Sequence, residues 1–301
     1  MLKAIAAACD RNLAVVLLLP GILTFLVLLV FPLGYGVYTS FYRINMLDLA
    51  TGGGRFVGFD NYVWLFGNGD FWHSLWVSVS YAVAVVGLQL ALGTFVALLL
   101  HQSFRGRNLV RGLVLFPYMM PVVSVILVWL LLYNALFGVI NYLLMSVGLI
   151  ERIDSIAWLA RPDSAFWGVV LVGLWKYFPF VVVIVLARLQ IIPQDLYEAA
   201  RIDGAGAVSR FFDITLPQLR DVLLVVALLR TIFMFNNFEV VYLLTGGGPL
   251  QATLTLPILV YETAMEGERA FGRGSTIAVV MFFILIATMS VYFRFLRKEQ
   301  T

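Results

Sequence analysis

Two cations lie where a chain of this composition accommodates them least. Lys176 stands about ten residues inside one long apolar run and Arg230 about nine inside the next. At a rise of roughly 1.5 Å per residue, both come near mid-depth of a helix that crosses a bilayer. Ionisable groups at that depth are costly and mark function by default. Trp175 and Tyr177 bracket Lys176, while Arg230, Met234 and Asn237 recur at i, i+4 and i+7 and so share one helix face. Glu239 follows Arg230 on the opposite side of that helix, a poor partner for it. Tyr, Trp, Asn and Arg side chains in a largely preformed cleft suit hydrogen bonding and ring stacking on a polar ligand. The same types also pack between helices, and Asn236 and Asn237 could act as interhelical glue.

Other chemistry is missing. The only lysines are Lys3, Lys176 and Lys298, none follows a glycine, and so no phosphate-binding Gly-Lys-Ser/Thr loop exists. No His/Cys/Asp set has metal-ligand spacing, and no Gly-x-Ser-x-Gly nucleophile motif occurs. His73 and His101 fall at span ends without partners for a metal and read as interfacial. Cys9 is the single cysteine, which excludes an intrachain disulfide and is expected to be a free cytosolic thiol. Catalysis by this chain alone is not expected.

The elements that must position these side chains are membrane helices. With 62% hydrophobic and 12% charged residues in 301, the chain is too apolar for a soluble domain of its size. A span needs about 20 apolar residues. Six such spans are expected, at Leu13–Tyr35, Leu75–Leu100, Leu113–Tyr133, Phe166–Leu189, Val222–Leu244 and Thr276–Phe295. The first is too long for a signal-peptide core and is read as retained. Pro117 and Pro121 inside the third span free backbone groups that neighbours or water must satisfy. The apolar Gly138–Ile150 is too short to span and fits a re-entrant or surface-lying helix. If the N-terminus is cytoplasmic, that side carries twelve Lys and Arg residues against six opposite, so both termini and the loop before span five are expected inside. Net charge is only +3 with dispersed arginines, which gives nucleic-acid binding no support. No internal repeat is evident, and residues 1–301 read as one all-α membrane domain.

The one sizeable polar interruption is Ile191–Pro217, IIPQDLYEAARIDGAGAVSRFFDITLP. Pro193 suits the first turn of a helix and Asp195 its positive end. Leu196, Ala199, Ala200 and Ile202 make a short small-and-aliphatic face, and Gly204 and Gly206 stop the helix. A second short helix with Phe211, Phe212, Ile214 and Leu216 on its apolar side should run into Pro217. Two short helices across a glycine hinge make a docking element, not a catalytic loop.

Glu198-Ala199-Ala200, Gly204, Ile214 and Leu216-Pro217 match, at every position and spacing, the EAA loop of the permeases of ABC importers. The chain resembles that family, and LLTGGGP (Leu243–Pro249), with FVGFDNYVWLF after span one, resembles its maltose-type and multiple-sugar-type members. The resemblance implies a type I, maltose permease-like membrane domain of six helices in a bacterial cytoplasmic (inner) membrane. It implies that residues 191–217 couple to a cytoplasmic ATPase. Other implied partners are a second, different permease chain, two ABC ATPase subunits and an extracytoplasmic solute-binding protein. ATP and Mg would be bound by the ATPase chains and no cofactor by this one. By local matches at FPY in span three, LW and FP in span four and FNNF in span five, the resemblance implies that Tyr118, Trp175, Tyr177, Arg230, Met234 and Asn237 line the cavity through which the carbohydrate passes.

Arg230 and Lys176 stand where that family leads one to expect neutral side chains. An anionic cargo, such as glycerol 3-phosphate or its diesters, is therefore the alternative, since Arg binds phosphate well. An ion-coupled secondary transporter is the remote alternative. It predicts acidic mid-membrane residues and a repeat between halves, neither of which the sequence has.

Overall fold

The structure, a computed structural model, describes residues 13–267 and 269–297. Backbone contacts gather the chain into two compact units. One comprises the residues up to 68 with 260–283, the other 69–259 with the residues from 284 on. No composition shift in the sequence announces this division.

In the first unit, α1 (Leu13–Phe25) passes through a π-helical turn, Leu26–Val30, into α2 (Phe31–Ser40). Its apolar side chains are exposed almost all round, which only lipid can solvate. An antiparallel ribbon of β1 (Tyr42–Arg43) and β2 (Arg55–Phe56) flanks α3 (Met46–Thr51). That short helix forms because Asn45 caps the Leu47 and Asp48 N–H groups while Asp48 accepts from the Asn45 N–H. The aromatic run folds as α4 (Asp60–Gly67), whose buried Asn61 Nδ2 donates to the Ser40 and Tyr42 carbonyls at 2.8 and 3.0 Å.

The second unit contains α5 (Gly69–His101), α6 (Arg107–Met119), α7 (Val122–Leu132), α8 (Val139–Ser146), α9 (Pro162–Leu189) and α10 (Gln194–Ile202). Then α11 (Ala207–Arg210) runs through a π turn into α12 (Leu216–Phe235), followed by α13 (Phe238–Thr245). The last two helices, α14 (Leu256–Tyr261) and α15 (Phe271–Arg297), are divided between the units, after residues 259 and 283. Among the described residues, four helices are long and apolar enough to cross a membrane singly. The bent pairs α6–α7 and α12–α13 make six if each pair is one span. The core of the unit is α5 against α9, with Ala97, Val181, Val185, Leu189 and Leu219 fully or nearly fully buried.

Two expected spans are not single rods. The third breaks at Met120–Pro121 with a bend of 96°. Pro117 stays inside α6, while Pro121 caps α7. The fifth bends by 43° at Asn236–Asn237, where the Asn237 side chain accepts from the Val240 N–H and starts a new helix. The Gly138–Ile150 stretch folds as the short α8. Its buried Asn141 Nδ2 donates to Ile153 and Ile156 carbonyls, and Asn141 Oδ1 accepts from Trp158 Nε1 at 2.7 Å.

Glycines let α5 and α9 approach. A Cβ on Gly93 would stand 2.6 Å from Val181 Cβ, and one on Gly173 would stand 2.7 Å from the Tyr81 hydroxyl. Gly93→Ala is expected to cost about 1–3 kcal/mol by overpacking, seen as a lowered thermal midpoint of the purified protein. Gly87→Ala on the same helix, with open space around it, should not lower the midpoint.

Candidate functional site

The buried polar residues of the second unit converge on Arg230. That residue is 3% exposed, its Nε donates to Gln89 Oε1 at 2.9 Å, and a terminal nitrogen lies 3.4 Å from Met234 Sδ. The i, i+4 spacing on α12 sets that last contact. The guanidinium carbon sits 5.0 Å from the Tyr177 ring centroid and 5.5 Å from that of Phe180, both on α9. Aromatic faces attract a cation most strongly when water is excluded. No carboxylate pairs with Arg230 among the described residues.

Gln89 was not singled out by sequence reasoning, yet it ties three spans together. Fully buried on α5, it accepts from Arg230 and donates from Nε2 to the Gly173 carbonyl of α9 at 2.9 Å. Its signal was available: a lone carboxamide inside an otherwise apolar run.

The expected ligand-binding residues divide by depth. Arg230 and Met234 are buried, and Trp175, Tyr177 and Asn237 are half-buried. Tyr118, at the end of α6, is exposed, with its ring 6.4 Å from Tyr177 and 6.2 Å from Phe180. Trp175 sits edge-on to Trp129 at 5.7 Å, one step aside from the Arg230 group. Lys176 is buried and donates to the Met120 and Pro117 carbonyls, at 2.8 and 3.4 Å. Glu239 is exposed. The assembly offers stacking faces and hydrogen-bonding groups; it contains no nucleophile–base pair.

The Ile191–Pro217 loop is built from helical segments tied down by hydrogen bonds at its base. Pro193 is the residue preceding α10, not part of its first turn, and Gly204 ends the helix with φ of +82°. The second helix is not separate: α11 continues through the π turn Phe211–Thr215 and past Pro217 into α12. At the base, Arg188 Nε donates to the Gln218 carbonyl at 3.0 Å and the Tyr197 and Thr215 hydroxyls meet at 3.0 Å. Above it, Glu198, Ala199, Gly204 and Pro217 are exposed, and Ala200, Ile214 and Leu216 half-buried. Ile202 is 86% exposed, and Val208 and Phe212 are uncovered beside it.

Residues 89–298 match the family described as binding-protein-dependent transport system inner membrane component. The chain belongs to that family. It is 36% identical to the trehalose/maltose transport system permease protein MalF of Thermococcus litoralis, over 95% of this chain and 94% of that protein. It is 35% identical to the sulfoquinovosyl glycerol transport system permease protein SmoG of Agrobacterium fabrum, over 96% and 92%. A bacterial ABC transporter structure, involved in the import of the acidic polysaccharide alginate, superposes with a TM-score of 0.81. That likeness covers 98% of this chain and 99% of the other at 21% identity, and establishes the type I importer fold. This binding-protein-dependent permease is therefore a transport component of the inner membrane, not an enzyme. Its family match opens at Gln89 and takes in both the Arg230 group and the Glu198 loop.

In this permease, Gln89→Leu strands a buried guanidinium nitrogen and should cost about 1–3 kcal/mol. Combining it with Arg230→Met should cost less than the two single losses together, because the two side chains share one interaction. Thermal midpoints of the four proteins of the double-mutant cycle check this.

Proposed function

We propose that this chain is one of two different permease subunits of an ATP-driven importer that carries a carbohydrate across the cytoplasmic membrane by alternating access. The observation that carries the reading is the complete Glu198–Pro217 pattern on a helical loop with Ile202, Val208 and Phe212 uncovered. Exposed apolar side chains amid polar ones suit a protein partner. The partner proposed here is a groove on one of two cytoplasmic ABC ATPase subunits, which bind ATP and Mg. In this reading both chain termini are cytoplasmic, and a solute-binding protein delivers cargo from outside. Closure of the ATPases displaces the loop, and the spans rock around Tyr118, Trp175, Tyr177, Arg230, Met234 and Asn237, which contact the cargo. Relatives named for trehalose/maltose and sulfoquinovosyl glycerol uptake support a carbohydrate.

A second reading, an anionic cargo, is favoured by one observation: the Arg230 guanidinium has no carboxylate to neutralise it among the described residues. A desolvated cation of this kind favours a negative ligand group.

The experiment is ATPase stimulation by the cargo-loaded binding protein, in the purified complex, over a panel of neutral sugars, acidic sugars and glycerol phosphates. Stimulation by neutral sugars supports the first reading, and stimulation by anionic compounds alone supports the second. Glu198→Lys should lower stimulated ATPase and uptake by at least about tenfold while the complex still assembles, the size expected when a docked charge is reversed. Unchanged coupling in that variant would remove the loop from the mechanism.

A further inference from the structure

The break in the third span follows from its sequence, and one side chain from another helix completes it. In an α-helix the carbonyl of residue i accepts from the N–H of residue i+4. For Pro117 that residue is Pro121, which has no N–H. The backbone then turns extended at Met120, with ψ of 142°, so its carbonyl also leaves the helical ladder. Both carbonyls lie within a bent span, where unpaired backbone groups are costly. The ammonium of Lys176, 2% exposed on α9, donates to both, at 3.4 Å and 2.8 Å. One side chain thus supplies the donor that Pro121 lacks and a second one for Met120.

We propose that Lys176 is a positioning residue: its ammonium pins the broken third span onto α9 and thereby sets where Tyr118 stands. Tyr118 follows Pro117 directly, and its ring lies against Tyr177 and Phe180, the two nearest rings to the Arg230 guanidinium. The break, the ammonium and the aromatic wall therefore form one unit. No carboxylate lies within ion-pair distance of Lys176 among the described residues; its hydrogen bonds go to the two backbone carbonyls, with the Tyr177 ring centroid 5.3 Å away and Glu239 attracting it through space. The consequence for cargo rests on the reading above that Tyr118 contacts it. The consequence for the backbone does not.

The test uses the complete importer in lipid nanodiscs, with two readouts. The first is the distance between spin labels at Val123 and Leu171, introduced as cysteines in a Cys9→Ser background. The second is the concentration of cargo-loaded binding protein that half-saturates ATPase stimulation, using the strongest compound of the panel and beginning with trehalose and maltose.

Lys176→Met is expected to shift or broaden the label distance and raise half-saturation on the order of tenfold, the size of losing a charged hydrogen bond. Lys176→Arg, which keeps donors, should restore most of both. In a Tyr118→Ala background the change in half-saturation on Lys176→Met should vanish, whereas the distance change should persist. If Lys176→Met fails to assemble, Lys176→Gln, with two N–H donors and no charge, should give intermediate values of both.

An unchanged label distance on loss of the amine overturns the proposal. A raised half-saturation in Tyr118→Ala with none in Lys176→Met overturns the link through Tyr118. If Tyr118→Ala alone leaves half-saturation unaltered, the cavity reading of Tyr118 fails, and the distance still decides whether Lys176 pins the span.

Discussion

A guanidinium sealed among apolar helices governs how the second unit is assembled. Taking Arg230 out of water costs several kcal/mol unless the site supplies acceptors and polarisable faces. Gln89 supplies the acceptor, and the Tyr177 and Phe180 rings supply the faces. Gln89 is in turn held by the Gly173 carbonyl, at a helix contact so close that Gly173 has no room for a side chain. The charge thus fixes the mutual register of α5, α9 and α12. It does so with groups that hydrocarbon alone could not orient, since packing between apolar helices in lipid has little directional preference.

The same constraint links this interior to the exposed loop. From Ala207 to Phe235 the chain is one continuous helical rod, interrupted only by a π turn. Ala207 and Arg230 are separated along it by about 35 Å at the usual helical rise. A displacement at Val208 or Phe212 reaches the Arg230 group without crossing a flexible connection. At the other end of α10, Ile192 is buried in the α5–α9 core, so the loop is anchored on both sides. This arrangement suits a part that transmits rigid-body motion, where energy released in one chain does mechanical work in another.

Much of this was legible in the sequence, for physical reasons. Apolar runs of span length announce themselves because lipid demands them, and the four unbroken spans were expected within a few residues of where they occur. Both ends of Gln194–Ile202 were readable because Pro193 and Gly204 mark them by backbone geometry alone. What sequence did not disclose depends on a partner from another helix. Pro117 and Pro121 announced freed backbone groups, but not that Lys176, more than fifty residues later, would meet them. Gln89 looked like an isolated polar residue until Arg230 and Gly173 came beside it. Pro217 suggested the end of a short helix, yet the rod continues past it, directly after the π turn Phe211–Thr215.

Uptake into sealed proteoliposomes tests the central claim most directly: that this permease is driven by ATP through its loop and not by an ion gradient. The complete complex is reconstituted with ATP and Mg enclosed or omitted, with and without external binding protein, and with proton and sodium gradients collapsed. The account predicts cargo accumulation that requires both ATP on the loop side and binding protein opposite, and that survives loss of both gradients. Accumulation without ATP that disappears when a proton or sodium gradient is collapsed would contradict it.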